Sequence, residues 1–139
     1  MGRLLAIDFG TKRIGLAETD PLQIIASGLD TVDNKKIFEF LDSYLKREQV
    51  DEFIVGEPKQ MDDTPSESEK YIKPFIEELQ KKYPNIPVKR FDERYTSKMA
   101  FQTMIDSGIG KKARRNKGLI DKISATIILQ SYMESQQSF

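Results

Sequence analysis

Apolar residues in the first part of the chain occur in short runs that are separated by turn residues. Such runs are typical of buried strands joined by tight turns. The predicted strands cover residues 4–8, 14–18, 24–29, 53–56 and 88–91. Because the first three follow one another at short spacing, they predict an antiparallel meander.

After the meander, apolar residues recur at helical intervals. A first helix is expected after Asp33, which is suited to cap it, and further helices are expected at 66–83, 96–105 and 119–133. Pro74 should bend the second helix or delay its start. The resulting order is three strands, helix, strand, helix, strand, helix, helix.

This order predicts an α/β fold with a mixed five-stranded sheet and helices on both faces. It is the order of the ribonuclease H-like folds. The chain has 139 residues, the length of one ordinary domain. We therefore expect a single domain over residues 1–139, with a polar tail at about 134–139.

The composition excludes several kinds of chemistry. The chain has no cysteine and no histidine, so disulfides, thiolate metal sites and catalysis by these two residue types are ruled out. Acid–base or nucleophilic chemistry is left to Asp, Glu, Lys, Ser, Thr or Tyr, or to a water activated by a carboxylate-bound metal. Lys and Arg number 22, as do Asp and Glu, so the overall charge indicates no partner. No signal peptide or membrane-spanning run is visible, which makes a cytoplasmic location without a membrane partner the expectation.

Asp8 stands at the end of the first predicted strand, where a carboxylate is costly unless a cation, backbone donors or a metal offset it. Because side chains alternate along a strand, Asp8 shares a face with Leu4 and Ala6. One interpretation is that the following turn, through its backbone or through Lys12 or Arg13, neutralises Asp8. The other interpretation is a metal site.

Two further carboxylates stand at the ends of predicted elements. Glu93 follows a strand at the carboxyl edge of the sheet, and Asp121 opens the final helix. Each has an ordinary explanation when taken alone, Glu93 as a partner of Arg94 and Asp121 as a charge favoured by the helix dipole. Convergence with Asp8 would instead suit Mg²⁺ or Mn²⁺ and metal-assisted phosphodiester hydrolysis.

The basic segment, residues 108–118 with the sequence GIGKKARRNKG, directly precedes Asp121. Its five cations are Lys111, Lys112, Arg114, Arg115 and Lys117. Beside a metal site they would hold a phosphate backbone, so we expect this segment to bind nucleic acid. The alternative is a solvated charged loop.

Four blocks occur in order and span nearly the whole chain: AIDFGTKRIGLA, FIVGEPKQMDD, VKRFDERYTSKMA and KGLIDKISATIILQSYM. With these blocks the chain resembles the YqgF/RuvX family of Holliday junction resolvase-like, ribonuclease H-fold nucleases. The resemblance implies a metal-dependent nuclease that acts on structured nucleic acid and, in bacteria, matures the 5′ end of the 16S rRNA precursor. An RNA precursor, in association with the ribosome, is favoured over a DNA junction.

Matched by motif, the functional residues of the family fall on two sets of positions in this sequence. The matched catalytic and metal-binding acids are Asp8, Glu93 and Asp121, and the matched basic residues include Lys12, Arg13 and Arg94. The block GEPKQMDD departs from the family, since it has Glu57 where leucine is usual and Asp63 where glycine is common. Glu57 either supplements the acids or is a local surface change, and we favour the second.

Three other functions compete with the rRNA nuclease. The segment IDFGTKRIG is similar to the phosphate-binding hairpin of the actin, Hsp70 and sugar-kinase ATPases, in which backbone amides approach nucleotide phosphates. Those enzymes close two such domains around the nucleotide, so ATP hydrolysis by this chain alone is disfavoured. The remaining alternatives are a DNA junction resolvase and a non-catalytic RNA-binding factor for ribosome assembly.

Overall fold

A computed structural model of the protein contains one mixed sheet of five strands. It describes residues 2–60, 62, 64–96 and 117–136, and for residues 117–119 the description covers the backbone alone. The strands are β1 (Arg3–Asp8), β2 (Arg13–Thr19), β3 (Ala26–Asp33), β4 (Val50–Glu57) and β5 (Val88–Asp92). Their order across the sheet is β3-β2-β1-β4-β5. The first three pair antiparallel, whereas β4 runs parallel to β1 and β5 runs parallel to β4. The predicted meander and mixed sheet are confirmed.

β3 starts and ends later than the third predicted strand, because a tight turn occupies the residues before it. The Asp20 carboxylate accepts hydrogen bonds from the backbone N–H groups of Leu22, Ile24 and Ile25, at 3.1, 2.7 and 2.7 Å. These bonds fix a turn of the kind that Asp side chains favour. Ile24 and Ile25 are therefore exposed instead of entering the sheet.

Helices cover both faces of the sheet. The described helices are α1 (Ile37–Arg47), α2 (Glu69–Lys82) and α3 (Lys117–Gln136), with short 3₁₀ turns at Asn34–Lys36 and Glu93–Tyr95. α3 extends into the predicted polar tail, and the predicted helix at 96–105 lies outside the described residues apart from Thr96, which follows a 3₁₀ turn. Within the described ranges, no helix is long and apolar enough to cross a membrane.

α2 begins at Glu69, later than predicted, and Pro74 lies inside it. Its buried apolar residues are Ile72, Phe75 and Leu79, which share one helical face. Tyr71 stands at the margin of this face, and its side chain is 51% exposed.

The sheet separates two apolar layers. On one side, Leu5 and Ile7 of β1 pack with buried residues of α1 and α2. On the other side, Leu4 and Ala6 pack with α3. The predicted alternation along β1 is confirmed, and it directs Asp8 to the side of the sheet that α3 covers.

Candidate active site

Asp8 ends β1 at the edge of the sheet where the parallel strands β1, β4 and β5 all have their carboxyl ends. Ligands of open α/β sheets bind at this edge. Glu93 directly follows β5 and opens the 3₁₀ turn Glu93–Tyr95. Asp121 lies in the second turn of α3. Each of the three predicted acids therefore comes from a different element.

Gly15 is the residue that allows Asp121 to approach Asp8. It is the partner of Asp8 in the pairing of β1 with β2. A Cβ added to Gly15 would lie 2.5 Å from the backbone carbonyl carbon of Asp121 and closer still to its oxygen. Any larger residue would force the backbone of α3 away from the strand. Asp8 and Asp121 are thus neighbours across a single glycine.

Gly56, near the end of β4, has a similar relation to Glu93. A Cβ added there would lie 3.1 Å from Cδ and from Oε2 of Glu93, and 3.0 Å from Cδ1 of Ile128. The Glu93 carboxyl group is therefore packed against the β4 backbone and close to the buried face of α3. The tolerance is larger than at Gly15, because the Glu93 contact is the end of a flexible side chain.

The three acids interact electrostatically at Asp8. The pKa of Asp8 is raised from its ordinary value of 3.8 to about 7. Burial is the largest cause, and the negative charges of Glu93 and Asp121 add to it. Among the described residues, no hydrogen bond or ion pair reaches the Asp8 carboxylate. Its neutralisation by the following turn, by Lys12 or by Arg13 is therefore not what the structure contains.

Glu93 is also harder to ionise than an ordinary glutamate. Burial raises its pKa, Arg90 acts in the opposite direction, and the charges of Asp92 and Glu69 raise it further. The ordinary explanation for Glu93, a pair with Arg94, does not apply. Arg94 instead donates to the Asp92 carboxylate, with an Nη2–Oδ2 distance of 2.7 Å.

Arg90 and the buried Glu69 form a partly buried ion pair beside Glu93 that sequence analysis missed. The Arg90 guanidinium donates to both carboxylate oxygens of Glu69, at 2.9 and 3.1 Å, and to the backbone oxygen of Gly56 at 2.9 Å. This ties the first residue of α2 to the end of β4. The available signal was alternation: Arg90 lies two residues after Val88 and therefore on the face of β5 that meets α1 and α2, where a cation needs a partner.

The predicted phosphate-binding cations differ in what they contact. Arg13 donates from Nε to Oδ2 of Asp121 at 2.9 Å, so it pairs with one of the predicted acids. Lys12 is exposed. Four cations of the basic segment, Lys111, Lys112, Arg114 and Arg115, lie outside the described residues, and Lys117 is described by its backbone only, as the first residue of α3.

Glu57 ends β4 and belongs to a surface network of charges. Its carboxylate lies 3.7 Å from Nζ of Lys59 and 3.9 Å from Nη1 of Arg90. It is not among the groups that shift the pKa of Asp8. These contacts favour a local role for Glu57, while Asp63 lies outside the described residues.

The donor set of the three acids suits a divalent cation, although their present side-chain positions do not enclose one site. A buried carboxyl group that faces two like charges gains from a bound cation, and carboxylate oxygens are the ligands that Mg²⁺ and Mn²⁺ prefer. Nevertheless, no group of three acids within the described ranges is arranged so that it could hold a metal ion. The ion pair with Arg13 draws the Asp121 carboxylate toward the guanidinium.

The architecture is shared with solved structures of Holliday junction resolvases. The fold matches T. thermophilus RuvC in complex with a Holliday junction substrate, with a TM-score of 0.60 and 17% identity over 97% of this chain and 96% of that one. It also matches the fowlpox virus Holliday junction resolvase, with a TM-score of 0.56 and 19% identity over 96% of this chain and 99% of that one. These likenesses show the ribonuclease H-like fold.

Sequence comparison defines the family within this fold. Residues 2–135 match the family model RuvX, which is described as Holliday junction resolvase. A relative in Christiangramia forsetii is 57% identical over 96% of this chain and 98% of its own length, and one in Phocaeicola vulgatus is 54% identical over 99% of both. Both are provisionally named pre-16S rRNA nuclease. The chain belongs to the RuvX family, a family of nucleases that hydrolyse phosphodiester bonds.

Proposed function

We propose that this chain is a metal-dependent nuclease that processes the 5′ end of pre-16S rRNA during ribosome biogenesis in the cytoplasm. Asp8, Glu93 and Asp121 are its catalytic residues and the ligands of Mg²⁺ or Mn²⁺. The observation that carries the proposal is the state of Asp8, a buried carboxyl group at the ligand-binding edge of the sheet whose pKa two further acids help to raise. A structural carboxylate in such a place would have a cation or hydrogen-bond donors.

The three acids have different structural settings. Asp8 ends a central strand, Glu93 lies on a short turn, and Asp121 lies on a helix. Two rigid elements and one turn suit a site that keeps its geometry while a substrate enters. A bound divalent cation would activate water and stabilise the leaving oxygen of the phosphodiester. No cysteine or histidine is needed for this chemistry.

The cations around the acids are suited to hold the substrate backbone. Arg13 and Lys12 lie at the start of β2 and in the turn before it, and Arg94 lies one residue beyond Glu93. We assign phosphate contacts to these three residues and to the basic segment. Such contacts make binding dependent on salt concentration and fix the strand at the acids.

The choice of RNA as substrate rests on the relatives, which are provisionally named for pre-16S rRNA and match nearly the full length of this chain. The second candidate is resolution of four-way DNA junctions. It is favoured by the description of the matching family model. The two candidates use the same acids, so they differ only in the nucleic acid that is cut.

The first experiment is cleavage by purified protein of pre-16S rRNA that carries its 5′ extension and of a four-way DNA junction. Each substrate is incubated with Mg²⁺, Mn²⁺ or EDTA. We expect metal-dependent cleavage of the RNA, loss of cleavage in Asp8→Asn, and retained RNA binding by that variant. Asp30→Asn is the matched control, because it removes an equal charge from an exposed position on β3.

The outcomes separate the alternatives. Metal-dependent cleavage of the DNA junction alone would transfer the assignment to the second candidate. Cleavage of RNA by Asp8→Asn at the wild-type rate would refute the catalytic role of these acids. Salt-sensitive RNA binding without cleavage of either substrate would favour a binding factor in ribosome assembly.

A further inference from the structure

We propose that Arg13 is an internal counter-ion that holds Asp121 away from the metal site until a phosphate of the nucleic acid takes the guanidinium. The inference rests on the proposed function, because it concerns when the same three acids can bind a metal. It makes metal binding and nucleic-acid binding mutually dependent.

The first supporting observation is the unequal distribution of counter-ions. Asp121 accepts a charge-assisted hydrogen bond from Nε of Arg13 at 2.9 Å. Asp8, which feels the charge of Asp121, has no basic group among the causes of its pKa shift. Arg13 thus stabilises Asp121 and leaves Asp8 without a cation.

The second observation is that Arg13 and Asp121 are held next to each other by their backbones. Arg13 and Gly15 lie two residues apart on β2 and therefore on the same face of the strand. Gly15 touches the backbone of Asp121. The contact that brings α3 to β2 therefore also brings the Asp121 carboxylate to Arg13, and only the two side chains need to rotate for the pair to open.

The third observation is that the pair is accessible and weak enough to exchange. The side chains of Arg13 and Asp121 are 38% and 28% exposed. Ion pairs with this much exposure contribute little net stability. A phosphate can offer the same guanidinium two parallel hydrogen bonds, which is a stronger arrangement than the single one to Asp121.

The thermodynamic consequence is reciprocal coupling. When a phosphate engages Arg13, the Asp121 carboxylate is released to the metal, so nucleic acid should tighten metal binding. By linkage, a bound metal must tighten nucleic-acid binding by the same factor. Without nucleic acid the Asp121 carboxylate stays on Arg13.

The test is Mn²⁺ binding, measured by electron paramagnetic resonance on the wild type, Arg13→Gln, Asp121→Asn and the double variant. Without RNA, Arg13→Gln should bind Mn²⁺ about three- to fivefold more tightly than wild type, the upper range for breaking an exposed ion pair. In the Asp121→Asn background the same substitution should change Mn²⁺ affinity by less than about twofold. A general effect of removing a positive charge would persist in that background.

The second readout is the effect of a short RNA, measured before appreciable cleavage has occurred, with the Mn²⁺ binding of the RNA alone subtracted. The RNA should tighten Mn²⁺ binding by wild type more than by Arg13→Gln. Lys122→Gln is the matched control, because it removes a cation next to Asp121 whose side chain lies against Gly28 on β3. It should leave Mn²⁺ affinity in the absence of RNA near the wild-type value.

Two results would overturn the inference, and only the second would also refute the proposed metal site. If wild type binds Mn²⁺ through Asp8 and Asp121 but Arg13→Gln binds no more tightly, only the counter-ion role is refuted. If wild type shows no Mn²⁺ binding that depends on Asp8, the proposed metal site fails together with this inference.

Discussion

Replacing Gly15 by alanine tests whether the close approach of α3 to β2 forms the site. Gly15 has an ordinary backbone conformation, so alanine introduces no backbone strain and the effect comes from contact alone. The new Cβ would lie 2.5 Å from the carbonyl carbon of Asp121, against an ordinary contact of 3.4 Å or more. The partner is helix backbone, which cannot rotate aside, so α3 must shift by roughly 1 Å at Asp121.

Such a shift has consequences for stability and for activity. Overpacking of a closed interface costs about 1–3 kcal/mol of the free energy of unfolding. A catalytic group misplaced by about 1 Å lowers the rate by about 100-fold. We therefore expect Gly15→Ala to fold, to unfold at a lower urea concentration, and to lose far more activity than the small change in stability explains.

The assay is single-turnover cleavage of pre-16S rRNA at a temperature at which the variant is fully folded by circular dichroism, together with urea denaturation. Gly28→Ala on β3 is the matched control, because its new Cβ would meet Cγ of Lys122 at 2.8 Å, a flexible side chain that can move. It should retain near wild-type cleavage. Wild-type cleavage by Gly15→Ala would refute the argument that this contact sets the position of Asp121.

Two further predictions concern charges near the site. Folded protein without metal keeps the Asp8 proton up to about pH 7, whereas the unfolded chain loses it near pH 4, so the free energy of unfolding should fall by at most about 4 kcal/mol as pH rises between these values. Urea denaturation across this range should show this decrease in wild type and a smaller decrease in Asp8→Asn. Equal decreases in the two proteins would contradict the prediction. Arg90→Gln leaves the Glu69 carboxylate buried without its cation and should lower the free energy of unfolding by about 3 kcal/mol. Adding Glu69→Gln should recover part of this loss. If the two substitutions instead have additive effects on the free energy of unfolding, the pair is not coupled.

Much of the fold could be predicted because it depends on local patterns. Alternation along β1 assigned Leu4 and Ala6 to one face and Leu5 and Ile7 to the other, and both layers are present. The order of strands and helices followed from the change of apolar period. The start of β3 could not be predicted in this way. The Asp20 carboxylate folds the residues between it and β3 into a turn, and the hydrogen bonds of that turn are not visible in the apolar pattern.

The site was only partly predictable for a related reason. The positions of Asp8, Glu93 and Asp121 at the ends of elements, and their motifs, identified the candidate acids. The partner of each charge was not identified, since Arg13 was considered as a partner of Asp8 and instead pairs with Asp121, 108 positions away in sequence. The pair of Arg90 with the buried Glu69 was missed for the same reason, since the two residues lie 21 positions apart in sequence.

The sequence by itself determined which residues can carry the chemistry and on which face of each element they stand, because residue type and backbone geometry set these locally. Only the tertiary structure decided how near the acids come to one another and which cation each one meets. Those are through-space distances between distant segments, and at Gly15 the distance depends on the absence of a single Cβ atom between β2 and α3.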